Sequence, residues 1–73
     1  MLTVLYIGDR LRETRKRALL TQQQLADKSG LGVTTIIRIE RNQVEPQART
    51  IRKLAEALGV EPHELIIKEG GNA

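Results

Sequence analysis

The spacing of apolar residues predicts helices through most of the chain. Ile7, Leu11 and Ala18 share one helical face, at i, i+4 and i+11, which predicts a first helix from position 7 to about position 19. A clearer stripe in the C-terminal half follows the i, i+3, i+4, i+7 pattern of an amphipathic helix. Its members are Ile51, Leu54, Ala55 and Leu58.

Capping residues divide this pattern into segments. Thr21 and Gln24 form a capping box, in which each side chain bonds the backbone N–H of the other residue. A second helix therefore starts immediately after Thr21, and it stops at Gly30, where glycine can take the left-handed conformation. Only two residues then separate it from a third helix, predicted over residues 33–41 and closed by Asn42, which tolerates positive φ.

Prolines mark the remaining breaks. Pro46 precedes the fourth helix, which ends at Gly59, and Pro62 opens a short fifth helix that runs to Ile67. The apolar and β-branched residues at 2–6 predict a short strand or an extended arm.

A chain of 73 residues can build one small core, so we expect a single domain. It consists of an arm over 1–6, a helical core over 7–67 and a flexible tail over 68–73. The sequence has no Phe or Trp and one Tyr, so the core is expected to be aliphatic. We assign to it Leu11, Leu25, Ile36, Ile39, Ile51, Leu54 and Leu58.

Composition argues against several functional classes. The absence of cysteine excludes a disulfide scaffold, a thiolate metal site and a cysteine nucleophile. His63 cannot form a metal site alone, and the carboxylates are too scattered for a catalytic pair, so we expect no enzyme, metal or cofactor. The apolar opening stretch is too short to span a bilayer and lacks a basic leader, which predicts a soluble cytoplasmic protein without membrane contact.

Positive charge is concentrated in the first half of the chain. Residues 10–41 hold eight Lys and Arg against three acids, a net charge of +5, whereas residues 42–73 hold four against five, a net charge of −1. Such an excess beside the second and third helices is expected of a surface that binds a polyanion. A solvated basic face without a partner would produce the same excess about as often.

The third helix carries residues on its outer side that suit a DNA major groove. At 100° per residue, Ile36 and Ile39 face the core. The opposite side offers arginine, which can bond guanine through two parallel hydrogen bonds, and threonine, which can bond a base edge or contact a thymine methyl. The outer residues are Thr34, Arg38 and Arg41, with Ile37 beside them and Val33 at the edge.

Three longer motifs resemble a known family. LRETRKRALLTQQQLADKSGL, TIIRIERN and KLAEALGV occur in this order within residues 7–66, and they look like the Cro/CI-type helix-turn-helix family of phage and bacterial repressors, also called the xenobiotic-response-element family. The resemblance implies an all-α, lambda-repressor-like bundle of five short helices, with or without a short N-terminal strand. It also implies a nucleoid-associated protein of a bacterium, archaeon or phage.

The resemblance implies base contacts on the third helix. Val33, Thr34 and Arg38 fall where family members touch bases. Ile37 stands where the family usually has a polar residue, so it is either a reader of thymine or an apolar patch for a protein partner. We include it among the predicted base-reading residues.

The resemblance implies phosphate contacts as well. Gln22, Arg41 and Asn42 fall where family members hold phosphates, and the free amides at the start of the second helix give Gln22 a physical reason for this role. Asn42 replaces a commoner glycine. Arg15 and Glu40 match a family ion pair that ties helix 1 to the end of helix 3, with the arginine near the DNA backbone.

These residues predict a sequence-specific regulator of transcription, most simply a repressor, that reads double-stranded DNA with residues 33–41. Since one such domain reads few base pairs, we expect a homodimer on an inverted-repeat operator with half-sites about 10 base pairs, or a multiple, apart. The dimer surface is expected to use apolar residues outside the core. We select Leu2, Val4 and Tyr6 at one end and Leu65, Ile66 and Ile67 at the other.

A protein-binding module is the alternative function. Examples are the antitoxin of a toxin–antitoxin pair and a transcriptional adaptor that has kept the fold but binds a protein partner. The outward position of Ile37 favours this alternative, because an exposed isoleucine suits a protein surface as well as a thymine methyl.

Overall fold

The computed structural model describes residues 6–66, which form five helices and no strand. This confirms the predicted all-α fold. The strand or arm expected at 2–6 and the tail expected at 68–73 lie outside the described residues, except for Tyr6, which is exposed and not part of a strand. The helices are α1 (Gly8–Arg17), α2 (Gln22–Ser29), α3 (Val33–Glu40), α4 (Ala48–Leu58) and α5 (Pro62–Leu65).

The predicted ends of α2 are confirmed. Thr21 Oγ1 accepts from the backbone N–H of Gln24 at 3.0 Å, and Gln24 Oε1 accepts from the backbone N–H of Thr21 at 2.8 Å. At the other end Gly30 takes φ 77°, in the left-handed region. Because both termini are satisfied locally, α2 is limited to eight residues.

The core is aliphatic, as predicted, and it is shared by all five helices. α2 packs against α3 and α4, α4 packs against α5, and α1 packs against α3 and α5. Leu58, which we placed in the core, is only partly buried and packs against its margin. The buried apolar residues are Ile7, Leu11, Leu25, Ala26, Ile36, Ile39, Ile51, Leu54, Ala55 and Leu65.

The structure departs from two expectations drawn from the sequence: that Ala18 lies on the apolar face of the first helix, and that Leu65 is free for a dimer surface. Ala18 is exposed, because α1 ends at Arg17 and the helical spacing does not continue to position 18. The buried face of α1 continues instead to Arg15, at i+8 from Ile7. Leu65 is not available for a dimer surface, because it is 1% exposed and belongs to the core, where α5 packs against α4 and α1.

The helices of the described residues are short. The longest, α4, has 11 residues, and no helix within residues 6–66 has the length and apolar character needed to cross a membrane.

Candidate nucleic-acid interface

The turn between α2 and α3 fixes the orientation of one helix on the other. After the left-handed Gly30, the N–H of Leu31 bonds the carbonyl of Ala26 at 3.2 Å, and Leu31 packs against the core. Gly32 then takes an extended conformation and precedes the first residue of α3. Since Leu25 and Ile36 are fully buried, the inner faces of the two helices are held and the outer face of α3 has one defined direction.

The outer face of α3 presents a polar strip with an apolar edge. Thr34 and Arg38, four residues apart, are exposed on the same side. Val33 is partly buried and packs against the core, so it offers less surface than Thr34. Ile37 is also partly buried and is not among the residues that pack against the core. The structure thus brings together the four residues for which we predicted base contacts.

A buried ion pair supports the inner side of α3. Arg15 Nε donates to Glu40 Oε2 at 2.6 Å and Arg15 Nη2 donates to Glu40 Oε1 at 3.0 Å. Arg15 Nη1 donates to the carbonyl oxygen of Leu20 at 2.9 Å. Gln22 Nε2 donates to Glu40 Oε1 at 3.1 Å. One carboxylate therefore holds side chains from α1 and α2 against the last turn of α3.

This network bears on the phosphate contacts predicted for Arg15 and Gln22. Arg15 is 8% exposed, and each of its three guanidinium nitrogens donates to a protein oxygen, so the geometry favours a positioning role over contact with DNA. Gln22 is partly buried and keeps one N–H of its carboxamide beyond the bond to Glu40. Sequence reasoning missed the Gln22–Glu40 bond, for which the sequence carries no local signal.

Asn42 has a structural contact that sequence reasoning also missed. Its backbone takes φ 58°, and its Oδ1 accepts from the backbone N–H of Gly8, the first residue of α1, at 2.9 Å. Ile7, at the N-cap of α1, makes no capping bond through its own side chain. The apolar N-cap was the one available signal, because it leaves the first amides of α1 in need of a distant acceptor.

The arginines of α1 are largely neutralised by nearby acids. Arg12 bonds Asp9 at 3.1 Å, three residues before it, and Arg17 bonds Glu13 at 3.4 Å, four residues before it. Arg10 lies 3.7 Å from Glu13. These ion pairs leave the arginines of α1 less available to a polyanion than the number of positive residues alone suggests.

Part of the uncompensated positive charge of the described residues lies at the end of α3 and the start of α4, and the rest is spread over Lys16, Lys28, Arg52 and Lys53. Arg38 and Arg41 are exposed and have no ion pair within residues 6–66, and the same holds for Arg49 in the first turn of α4. Sequence reasoning did not select Arg49 or the exposed Thr35. For Arg38 the signal was available, because no acid stands three or four positions away.

This arrangement is the helix-turn-helix fold. The chain matches the family model described as HTH_3, helix-turn-helix, over residues 11–65. It belongs to this Cro/CI-type family, which confirms the resemblance seen in its motifs. Relatives that this chain matches are named transcriptional repressors and regulators, in agreement with the expectation that the chain is not an enzyme.

Individual relatives match this chain at moderate sequence identity. The HTH-type transcriptional repressor RghR of Bacillus subtilis is 42% identical over 64 residues, which cover 86% of this chain and 47% of RghR. This chain spans about half the length of curated relatives such as RghR.

Solved structures agree with the fold. The restriction-modification controller protein C.AhdI from Aeromonas hydrophila has a TM-score of 0.80 and 43% identity, covering 84% of this chain and 92% of that one. The P22 c2 repressor, crystallised with a synthetic operator, has a TM-score of 0.75 and 30% identity, covering 82% of this chain and 91% of that one. The lambda-repressor-like architecture is thereby confirmed.

Proposed function

We propose that this chain is a sequence-specific DNA-binding regulator of transcription, most simply a repressor, that inserts the outer face of α3 into the major groove. The observation that carries the proposal is that Thr34 and Arg38 are exposed on one side of α3. The last turn of this helix is bonded to α1 and α2 through the carboxylate of Glu40. The P22 c2 repressor, a relative in fold, was crystallised on an operator, which supports the same function here.

The dimensions and chemistry of α3 suit this groove. An α-helix with its side chains is about 10–12 Å across, so α3 fits a B-DNA major groove, which is about 12 Å wide. Arg38 can donate two hydrogen bonds to a guanine, and Thr34 can bond a base edge. The exposed parts of Val33 and Ile37 provide methyl groups for contact with thymine. We assign base reading to these four residues.

Phosphate contacts are proposed on both sides of this strip. Gln22 lies at the first position of α2, where free backbone amides and the helix dipole favour an anion. Arg41 and Asn42 follow α3 directly, and Arg41 brings a charge that no acid within residues 6–66 neutralises. These contacts set the orientation of the domain on DNA, whereas the α3 strip sets the sequence.

A twofold homodimer on an inverted repeat is the assembly we propose. One α3 reads few base pairs, and two copies related by a dyad read twice as many. Tyr6 and Ile66 support this assembly, because they are 55% and 38% exposed. Tyr6 directly precedes the core residue Ile7, and Ile66 directly follows the core residue Leu65. Leu2, Val4 and Ile67, which we also predicted for the dimer surface, lie outside the described residues. The proposed function implies a location in the cytoplasm, at the nucleoid.

Selection of bound fragments from genomic DNA tests the proposal. We expect one enriched palindromic sequence, bound by the purified chain with an affinity that falls steeply as salt rises, because phosphate contacts release counterions. Sedimentation of the complex is expected to show two chains per site. Failure to retard any oligonucleotide at low ionic strength would contradict the function.

A protein-binding module remains the second candidate because of Ile37. This side chain lies on the outer side of α3 and does not pack against the core cluster, so it could contact a protein such as a toxin. Ile37→Ser distinguishes the two functions. If Ile37 reads thymine, the variant loses preference at one base pair; if it binds a protein, operator preference is unchanged.

A further inference from the structure

Leu19 has a backbone conformation that costs stability, and its side chain gains no burial. It takes φ 59°, in the left-handed region, and it is 88% exposed. A Cβ is strained at such a φ, so glycine or asparagine is the usual residue there. Within residues 6–66, the other left-handed positions are Gly30, Asn42 and Gly59, which follow this preference. Packing does not require a leucine at position 19, and residues kept in a strained conformation are concentrated at binding sites.

An open groove of about 540 Å³ lies next to this leucine. Ala18 and Leu20, the residues on either side of Leu19, both line it. It is formed where the C-terminal ends of α1, α2 and α4 meet, and we call it the α2–α4 groove. Leu20 and Leu58 are only partly buried, so they offer apolar surface to an occupant. The lining combines apolar and charged side chains, which include Ala18, Leu20, Lys28, Lys53, Glu56 and Leu58.

The charged part of the lining is mainly positive. Lys28 of α2 and Lys53 of α4 are exposed and form no ion pair within residues 6–66, and Glu56 is the one acid that lines the groove. Lys16, whose carbonyl oxygen accepts from the Leu19 N–H at 2.9 Å, is also exposed and without an ion pair in this part of the chain. The groove therefore favours an occupant that carries negative charge.

Helix dipoles explain only part of this charge. Lys28 lies in the last turn of α2, where a cation complements the partial negative charge of the helix end. Lys53 lies in the middle of α4, away from both ends, so the dipole of its own helix gives no reason for its charge. It forms one side of a surface that also holds partly buried leucines.

Other occupants fit these features less well. A second copy of the chain has a net charge of +3, which opposes its approach to a positive groove. DNA is negative, but no residue of α3 lines the groove, and Lys28 lies at the opposite end of α2 from Gln22. Neither a phosphate backbone nor a small anion has apolar side chains that would cover Leu19.

We propose that the α2–α4 groove binds an acidic, amphipathic segment of a partner protein. Carboxylates of this segment pair with Lys28 and Lys53, and its apolar side chains cover Leu19 and the leucines of the groove. The inference goes beyond the proposed function, because the groove and the outer face of α3 share no residue. The partner and DNA therefore bind at the same time, so a regulator on its operator is able to recruit the partner.

Selection from random peptides displayed on phage, with the purified chain as bait and without DNA, tests the proposal. We expect the enriched peptides to carry Asp and Glu together with apolar residues at helical spacing. The most enriched peptide is then synthesised, and its affinity for the chain is measured by fluorescence anisotropy. We expect the same affinity in the presence of the selected operator. Peptides without an excess of acidic residues, or no enrichment at all, would overturn the proposal.

Two variants locate the binding site of the synthetic peptide. Lys53→Glu should weaken peptide binding at least about tenfold, because it replaces an attractive pair by a repulsive one. Leu19→Ala should weaken it about fivefold, because it removes an apolar contact. Both residues are exposed, so the unfolding midpoints should remain near that of the wild type. Affinity unchanged in Leu19→Ala would overturn the apolar contact.

Arg52→Glu is the matched control for Lys53→Glu. It reverses the same charge at the neighbouring exposed residue of α4, which does not line the groove. We expect it to change peptide affinity by at most about twofold. Equal weakening by the two variants would show that the peptide follows the overall charge, and it would overturn the proposed site.

The remaining occupants are tested in the same way. Displacement of the peptide by operator DNA would assign the groove to the DNA surface and overturn the proposal. A free chain that sediments as a dimer, and as a monomer after Leu19→Ala, would assign the groove to a second copy and would also overturn it. A chain that bound the peptide as expected but bound no DNA would support the groove and contradict the proposed function.

Discussion

Arg15 on α1 and Glu40 on α3 form a bidentate ion pair inside the protein. The Nε–Oε2 and Nη2–Oε1 distances are 2.6 and 3.0 Å, and the two side chains are 10% and 2% exposed. Gln22 of α2 bonds the same carboxylate. Because three helices meet at one polar group, the direction in which α3 faces is coupled to the packing of α1 and α2.

Removal of Arg15 should strongly destabilise the fold. Arg15→Ala leaves the carboxylate of Glu40 buried without its countercharge, which costs about 3–5 kcal/mol of unfolding free energy. Urea denaturation followed by circular dichroism measures this loss. The matched control is Arg17→Ala, which removes an exposed pair with Glu13 and should cost at most about 1 kcal/mol.

The double variant Arg15→Met/Glu40→Leu tests the cause of this loss. It removes both charges and fills similar volume, so it should recover most of the stability lost in Arg15→Ala. If the double variant were less stable than Arg15→Ala, the isolated charge of Glu40 would not be the cause.

Substitution of Arg38 should alter sequence preference. We expect Arg38→Ala to lose about 1–3 kcal/mol of binding free energy on the preferred operator and to relax discrimination at one base pair. Binding titrations against operators changed at one position each provide the measurement. Arg12→Ala is the control, because Arg12 is paired with Asp9 on α1 and should leave the preference unchanged. An unaltered profile for Arg38→Ala would show that another residue reads that position.

The features that the sequence predicted correctly are local ones. The capping box of Thr21 and Gln24 involves residues three apart, and the left-handed Gly30 ends the same helix. The stripe of α4 lies within a single helix and ends at Gly59, also left-handed. Such features depend on spacing along the chain, so they can be recognised without knowledge of the tertiary structure.

The features that sequence reasoning missed depend on contacts between distant residues. The bond from Gln22 to Glu40 spans 18 positions and that from Gly8 to Asn42 spans 34. Both are made by polar side chains that we had assigned to phosphate because of their place in the motif. The prediction from helical spacing also placed Ala18 within the first helix, which ends at Arg17. The spacing of apolar residues does not show where the chain leaves a helix.

Substitution of Gly8 should test the close contact of α1 with α3. Alanine normally favours a helix over glycine by about 1 kcal/mol. At Gly8, however, a Cβ would lie 2.5 Å from the Glu40 carbonyl oxygen and 2.7 Å from that of Ile39, neither of which can rotate away. We therefore expect Gly8→Ala to lower the unfolding free energy by about 1–3 kcal/mol, as overpacking does.

Gly32→Ala is the matched control for this substitution. A Cβ at Gly32 would meet nothing within 4 Å, and its φ of −74° suits any residue. Because glycine is preferred to alanine at an N-cap, Gly32→Ala should cost about 0.5–1 kcal/mol, without the clash expected at Gly8. Equal stabilities of the two variants in urea denaturation would mean that α1 can shift away from α3 at little cost.

Leu19 should be a site where substitution increases stability. It has φ 59° in the turn after α1, and its side chain is 88% exposed. A residue with a Cβ loses about 1–2 kcal/mol in this conformation, whereas glycine loses about 0.4–1 kcal/mol through the greater freedom of its unfolded chain. Since the exposed leucine buries almost nothing, Leu19→Gly should raise the unfolding free energy by up to about 1 kcal/mol.

Thermal unfolding can detect this increase, because 1 kcal/mol shifts the midpoint of a domain of this size by about 4–8 °C. Leu19→Ala is the control: it removes the exposed side chain but keeps the Cβ, so its midpoint should remain near that of the wild type. A gain in Leu19→Ala as large as that in Leu19→Gly would locate the cost in the exposed leucine side chain and not in the left-handed backbone. A loss in Leu19→Gly would show instead that the turn tolerates a Cβ at positive φ without strain.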